Sequence, residues 1–147
     1  MKTALNILIF LISSFAFSQH WNTDFEAAMA TAKATNKPVL LVFSGSDWCA
    51  PCVKLDQQIF TTEVFKAESD RNWILVKADF PKKKAHALPE VVKIQNDKLA
   101  EKYNHNGNFP FVLLLDSNGK VLGRTGFKNN TPEAYIAELK SFEQPGS

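Results

Sequence analysis

Apolar positions recur along this chain in two patterns, one with the period of a helix and one in unbroken runs that suit buried strands. From Asn22 to Thr35, the residues Phe25, Ala28, Met29 and Ala32 fall at helical spacing, with Asn22 or Thr23 as the cap, and Asn36-Lys37-Pro38 ends the helix. Val39 to Phe43 is continuously apolar, as in a strand covered on both faces. Cys49 to about Phe60 reads as a helix with Val53, Leu55, Ile59 and Phe60 partly buried. Thr61-Thr62 kinks it, and Glu63 to Glu68 adds a further turn or short helix. Trp73 to Ala78 is a second strand, and Leu88-Pro89 opens a helix that reaches Tyr103 and breaks at Asn104-His105-Asn106-Gly107-Asn108. Phe111 to Leu115 and Lys120 to Arg124 flank Asp116-Ser117-Asn118-Gly119, a hairpin signal, and Thr131-Pro132-Glu133 starts a closing helix through about Phe142. The order α-β-α-β-α-β-β-α, with no repeat, predicts a single α/β domain.

The first 18 residues follow a different rule. Lys2 precedes an apolar stretch from Ala4 to Ile12, and Ser13-Ser14-Phe15-Ala16-Phe17-Ser18 places small residues at Ala16 and Ser18, which reads as a signal peptide cleaved before Gln19. A membrane anchor is the competing reading, but the run is short for the roughly 30 Å of a bilayer core. Residues 19–147 then form the mature domain, placed outside the cytoplasm in the periplasm or secreted, where disulfides persist.

Composition narrows the class without naming a function. At 147 residues, 45% hydrophobic and 22% charged, the chain is globular, not disordered or fibrous. Lys2 is the only charge in the first 18 residues, so their loss takes the formal net charge from +2 to +1. Such a balance gives no reason to propose nucleic acid or an anionic membrane as partner. One short stretch, Pro81-Lys82-Lys83-Lys84-Ala85-His86, is basic; it reads as a solvated loop, with docking of an acidic partner as the alternative.

The chemistry lies in Trp48-Cys49-Ala50-Pro51-Cys52, which holds the only two cysteines. If a helix starts at the first, positions i and i+3 share a face with Cα atoms roughly 5 Å apart, within disulfide reach. Cys49 then sits where unpaired N–H groups favour a thiolate, making it the candidate nucleophile, and Pro51 is tolerated in a first turn. A helix terminus is worth about 0.3–1 kcal/mol, less than the roughly 1.4 kcal/mol of one pKa unit, so the dipole alone is too weak. A hydrogen bond from the Cys52 thiol is the expected extra contribution. As a staple the pair is poor, because the stability a disulfide adds grows with the loop it closes. Metal binding needs more ligands, and His20, His86 and His105 show no paired spacing, so no metal is expected. Redox exchange leads, with a structural bridge and a metal pair as the alternatives.

These residues resemble the thioredoxin family from about Phe25 to Phe142. The Trp-Cys-Ala-Pro-Cys run differs from the thioredoxin active-site sequence only at Ala50, where glycine is usual. Phe109-Pro110, directly before Phe111 to Leu115, matches the family's cis proline, and Asn118-Gly119-Lys120-Val121, Gly123, Gly126 and a last helix follow in the family's order. Gly45-Ser46-Asp47-Trp48 and Lys54-Leu55-Asp56 are most similar to thioredoxin-like proteins of the bacterial cell envelope.

The resemblance implies a thioredoxin fold: a central four-stranded mixed sheet, ordered Trp73 strand, Val39 strand, Phe111 strand, Lys120 strand, with helices on both faces and an extra N-terminal helix. It also implies that Pro110 is cis and faces the cysteines, and that the backbone of Phe109 pairs with substrate, although Phe109 is larger than is usual there. Trp48 is either a substrate-facing lid or a packing residue. The buried aspartate that thioredoxins place six residues before the first cysteine is Phe43 here. Asp56 or solvent is the expected substitute in handling the proton of Cys52, and Lys77 matches the family's strand lysine.

The implied function is a thiol-disulfide oxidoreductase acting on disulfide-bearing proteins with no bound cofactor, as a monomer. Ala50-Pro51 resembles reducing thioredoxins, and a reductase outside the cytoplasm needs an electron donor, expected to be a membrane dithiol protein. An oxidase or isomerase, or a non-catalytic thioredoxin-fold binding module, are the alternatives.

Overall fold

The computed structural model describes residues 19–144, so the signal-peptide reading of residues 1–18 lies outside the described residues. The elements run β1 (Trp21–Asn22), α1 (Phe25–Thr35), β2 (Val39–Ser44), α2 (Ala50–Leu55), α3 (Glu63–Asn72), β3 (Ile74–Asp79), α4 (Glu90–Tyr103), β4 (Phe111–Leu115), β5 (Val121–Thr125) and α5 (Pro132–Ser141). The sheet order is β1-β3-β2-β4-β5, with β1, β3 and β2 parallel and β4 and β5 antiparallel to their neighbours. Four of these strands, in the order β3-β2-β4-β5, are those the resemblance implies.

The sheet has five strands, not four. Trp21 and Asn22 pair with Leu75 and Val76 on the outer edge of β3, and the Asn22 Nδ2 group donates to the Leu75 carbonyl at 2.9 Å. With Asn22 in the sheet, neither it nor Thr23 caps α1. Asp24 does, its carboxylate accepting the Ala27 N–H at 2.9 Å.

β2 is buried along all six residues, as its apolar run predicts. Its alternate side chains feed two cores. Leu40 and Val42 face α2, α3 and α5 with Leu75, Val112, Leu114, Phe60, Phe65 and Tyr135; Val39, Leu41 and Phe43 face α1 and α4 with Val76, Leu113, Leu115, Ala28 and Leu99. Each fully buried aliphatic or aromatic side chain contributes about 1.5–3 kcal/mol, so this central strand is the firmest part of the frame.

The helix expected from Cys49 to Phe60 is two pieces. α2 ends at Leu55, and Asp56–Phe60 is a π-helical turn in which the Thr61 N–H donates to the Asp56 carbonyl at 2.9 Å. The wider turn lets adjacent Ile59 and Phe60 both enter the core. Thr62 then caps α3, which continues four residues beyond Glu68 because Ser69 is buried and Trp73 still gives its N–H to the helix, at the Ser69 carbonyl. β3 therefore starts one residue later than the pattern suggests. β5 likewise starts at Val121, since the Lys120 N–H is used by the Asp116 carboxylate in the turn, where Gly119 takes φ of +83°.

Candidate active site

The site is built where β2 leaves the sheet. After Ser44, the Gly45 carbonyl accepts the N–H groups of Trp48 at 3.2 Å and Cys49 at 2.8 Å, folding Gly45–Cys49 into a tight turn. The Trp48 indole lies over Gly45, in the space that any Cβ there would need. Cys49 is extended, with φ −99° and ψ 100°, and is the N-cap of α2: the helix starts one residue after it, with Pro51 in the first turn.

Cys49 and Cys52 are disulfide-bonded, with Cα atoms 5.2 Å apart. Two backbone donors aim at the sulfurs. The Cys52 N–H points to Cys49 Sγ at 3.3 Å, and the Gly45 N–H to Cys52 Sγ at 3.5 Å. A cap sulfur placed this way is held by the free N–H groups of a first helical turn, which favour negative charge. Both residues are largely covered, at 5% and 3% exposure. They are not equivalent, however. The walls of a shallow groove of about 430 Å³ include Asp47, Trp48, Cys49, Ala50, Lys83 and His86 but not Cys52.

Trp48 is 40% exposed at the rim. Its Nε1–H donates to the Phe80 carbonyl at 2.7 Å, its ring meets Phe109 edge-on at 5.3 Å, and Phe109 meets Phe80 at 5.5 Å. Trp48 thus packs and borders the groove at once. Phe109–Pro110 is a cis peptide bond, and Pro110 is buried. Because Phe111 pairs with Phe43 at the end of β2, Pro110 lies at the sheet end from which the cysteine turn departs. Phe43 itself is wholly buried between Phe80 and Phe111, so no acid stands at that position.

Asp56 and Lys77 are joined to each other. The Lys77 ammonium donates to both carboxylate oxygens at 2.9 and 3.0 Å and lies 4.8 Å from the centre of the Trp21 ring. The pair is partly exposed and worth on the order of 1 kcal/mol, so the apolar core, not this bridge, fixes α2 against the sheet.

Sequence reasoning missed Asp47. Its carboxylate accepts the N–H groups of Lys82 at 2.9 Å and Lys83 at 3.0 Å and sits 3.0 Å from His86 Nδ1, so the basic loop is tied to the residue two before Cys49. Asp79 adds a second tie, accepting the Ser46 N–H at 2.9 Å and its hydroxyl at 2.5 Å. An acid near the first cysteine was the only signal in the sequence; its partners lie 35 and more residues away.

The Lys82 and Lys83 amides and His86 hold the Asp47 carboxyl down at about 2, from an ordinary 3.8. A depressed carboxyl stabilises the fold above its unfolded value, and that stability is lost as pH falls toward the folded value, here from about pH 4 to about pH 2. Asp47→Asn should be less stable than wild type at neutral pH and lose less stability across that window. Urea unfolding at a series of pH values checks this, and parallel curves would contradict it.

Comparison with known proteins agrees with this geometry. A family model described as thioredoxin-like matches residues 20–117. The disulfide bond reductase DsbH of Chlamydia pneumoniae is 35% identical over 126 residues, covering 86% of this chain and 74% of that protein. The thioredoxin-related protein DsbJ of the same organism is 29% identical over 113 residues, 76% of this chain but 31% of that longer protein. A solved DsbH oxidoreductase superposes with a TM-score of 0.78 at 33% identity, covering 84% of this chain and 83% of its own. With its Cys49–Cys52 disulfide at the strand-to-helix turn, this chain belongs to the thioredoxin-like family as a thiol-disulfide oxidoreductase.

Proposed function

We propose that the protein reduces disulfides of other proteins outside the cytoplasm, cycling between the Cys49–Cys52 dithiol and disulfide. The observation that carries this is that Cys49, and not Cys52, lines the groove beside the disulfide. In the reduced form the Cys49 thiolate attacks one sulfur of a substrate disulfide. A Cys49–substrate disulfide forms and the other substrate sulfur leaves as a thiolate. Cys52, losing its proton, then attacks Cys49 Sγ; the Cys49–Cys52 disulfide forms and the second substrate thiolate is released. Two electrons pass to the substrate, and a dithiol donor, which we take to be a membrane protein, restores the reduced state.

Around this exchange, Trp48, backed by Phe109, shapes the groove, Phe109 and Pro110 present backbone to the substrate chain, and Ala50 and Pro51 set the helix start. Solvent, or Asp56 held by Lys77, takes the proton that Phe43 cannot. The reducing direction is supported by the name of the similar disulfide bond reductase and by Ala50-Pro51. The site outside the cytoplasm is supported by the leader pattern of the first 18 residues.

Insulin reduction by dithiothreitol tests the activity. Wild type should accelerate it, Cys49→Ser should abolish the acceleration, and Cys52→Ser should stall as a mixed disulfide with its substrate; equal rates for wild type and Cys49→Ser would remove the enzymatic reading. Equilibration in glutathione buffers tests direction. The account expects a potential near that of reducing thioredoxins, about −270 mV, and a value near about −120 mV would make the protein an oxidase.

A further inference from the structure

We propose that the groove beside Cys49 docks acidic polypeptide, so that the substrates of this protein carry Asp or Glu next to the disulfide it exchanges. This rests on the exchange reading above and names its substrate class.

Lys82, Lys83 and Lys84 follow one another in the loop that Asp47 anchors, and among the described residues none of the three is ion-paired. Lys83 and His86 border the groove with Cys49, and the Lys82 ammonium lies 4.0 Å from the centre of the Trp48 ring. Asp47 also lines the groove, but its oxygens and those of Asp79 are engaged within the fold. Asp47 is only 4% exposed in its side chain and spends its oxygens on the loop amides and His86, and Asp79 is engaged by Ser46. A neighbouring cavity is lined by all three lysines together with Glu90 and Asp97; Asp97 is bound by Lys93 at 2.8 Å, and neither acid is ion-paired with Lys82, Lys83 or Lys84.

The chain as a whole is close to neutral, so this is a local concentration of cations and not general basicity. Its position is also fixed. Two backbone hydrogen bonds and the Asp47–His86 contact hold the loop beside the cap cysteine before any substrate arrives, which lowers the ordering cost of docking. Unpaired lysines at and beside a shallow groove, Lys83 in its wall and Lys82 and Lys84 in the adjoining cavity, steer and select anionic segments. A bare cluster of apolar residues would not discriminate by charge.

Calorimetric titration of the oxidised protein with short peptides, serine replacing each cysteine so that no exchange occurs, reads recognition alone. A peptide with Glu flanking the serines should bind about tenfold tighter than its Lys counterpart at low ionic strength, and the difference should collapse in about 0.5 M salt. The triple variant Lys82→Gln, Lys83→Gln, Lys84→Gln should lose the preference while Lys82→Arg, Lys83→Arg, Lys84→Arg keeps it. Equal binding of the two peptides to wild type, an unchanged preference in the Gln variant, or equal binding of an oligonucleotide overturns the proposal. Reduction of the neutral bis(2-hydroxyethyl) disulfide by wild type tests the exchange reading separately, since it needs no charge recognition.

Discussion

The hydrogen bond from the Cys52 N–H to Cys49 Sγ, at 3.3 Å, is the constraint on which the site depends. It makes Cys49 the cap of α2, points a first-turn amide at its sulfur, and keeps the two sulfurs within bonding reach. Magnitudes show why this bond matters. A helix terminus contributes about 0.3–1 kcal/mol, whereas a hydrogen bond to a charged group contributes about 1.5–3 kcal/mol. A backbone donor fixed by the helix therefore does more for a thiolate than the dipole does. β2, buried along its length, keeps the turn that precedes this cap in register.

The site is made from two stretches of chain, and Asp47 joins them. One carboxylate takes two amides and a histidine from a loop 35 and more residues away, bringing cations beside Cys49. The Trp48 indole closes the same junction through the Phe80 carbonyl and the ring of Phe109. The arrangement lines the groove around the cap cysteine with Trp48, Ala50 and Val53 on one hand and Asp47, Lys83 and His86 on the other.

Much of this was legible in the sequence because it is local. The apolar run of β2 and the spacing of Cys49 and Cys52 depend on residues within a few positions of one another, and both stand as expected. Three things were not legible, each for a reason of range or detail. β1 exists because Trp21 and Asn22 meet the open edge of β3, which two residues cannot advertise. The π-turn at Asp56–Phe60 follows from the need to bury both Ile59 and Phe60, a demand set by the opposing core. Asp47 looked like an ordinary loop acid, because its partners are backbone amides, which carry no residue identity.

The account holds that Cys49, not Cys52, is the accessible and readily ionised sulfur. Alkylation of the fully reduced protein with a limiting amount of iodoacetamide, followed across pH by peptide mass mapping, tests this most directly. Cys49 should be modified first, with a midpoint well below the roughly 8.5 of an ordinary thiol. Modification of Cys52 first, or of both cysteines together at the midpoint of a free thiol, would contradict it.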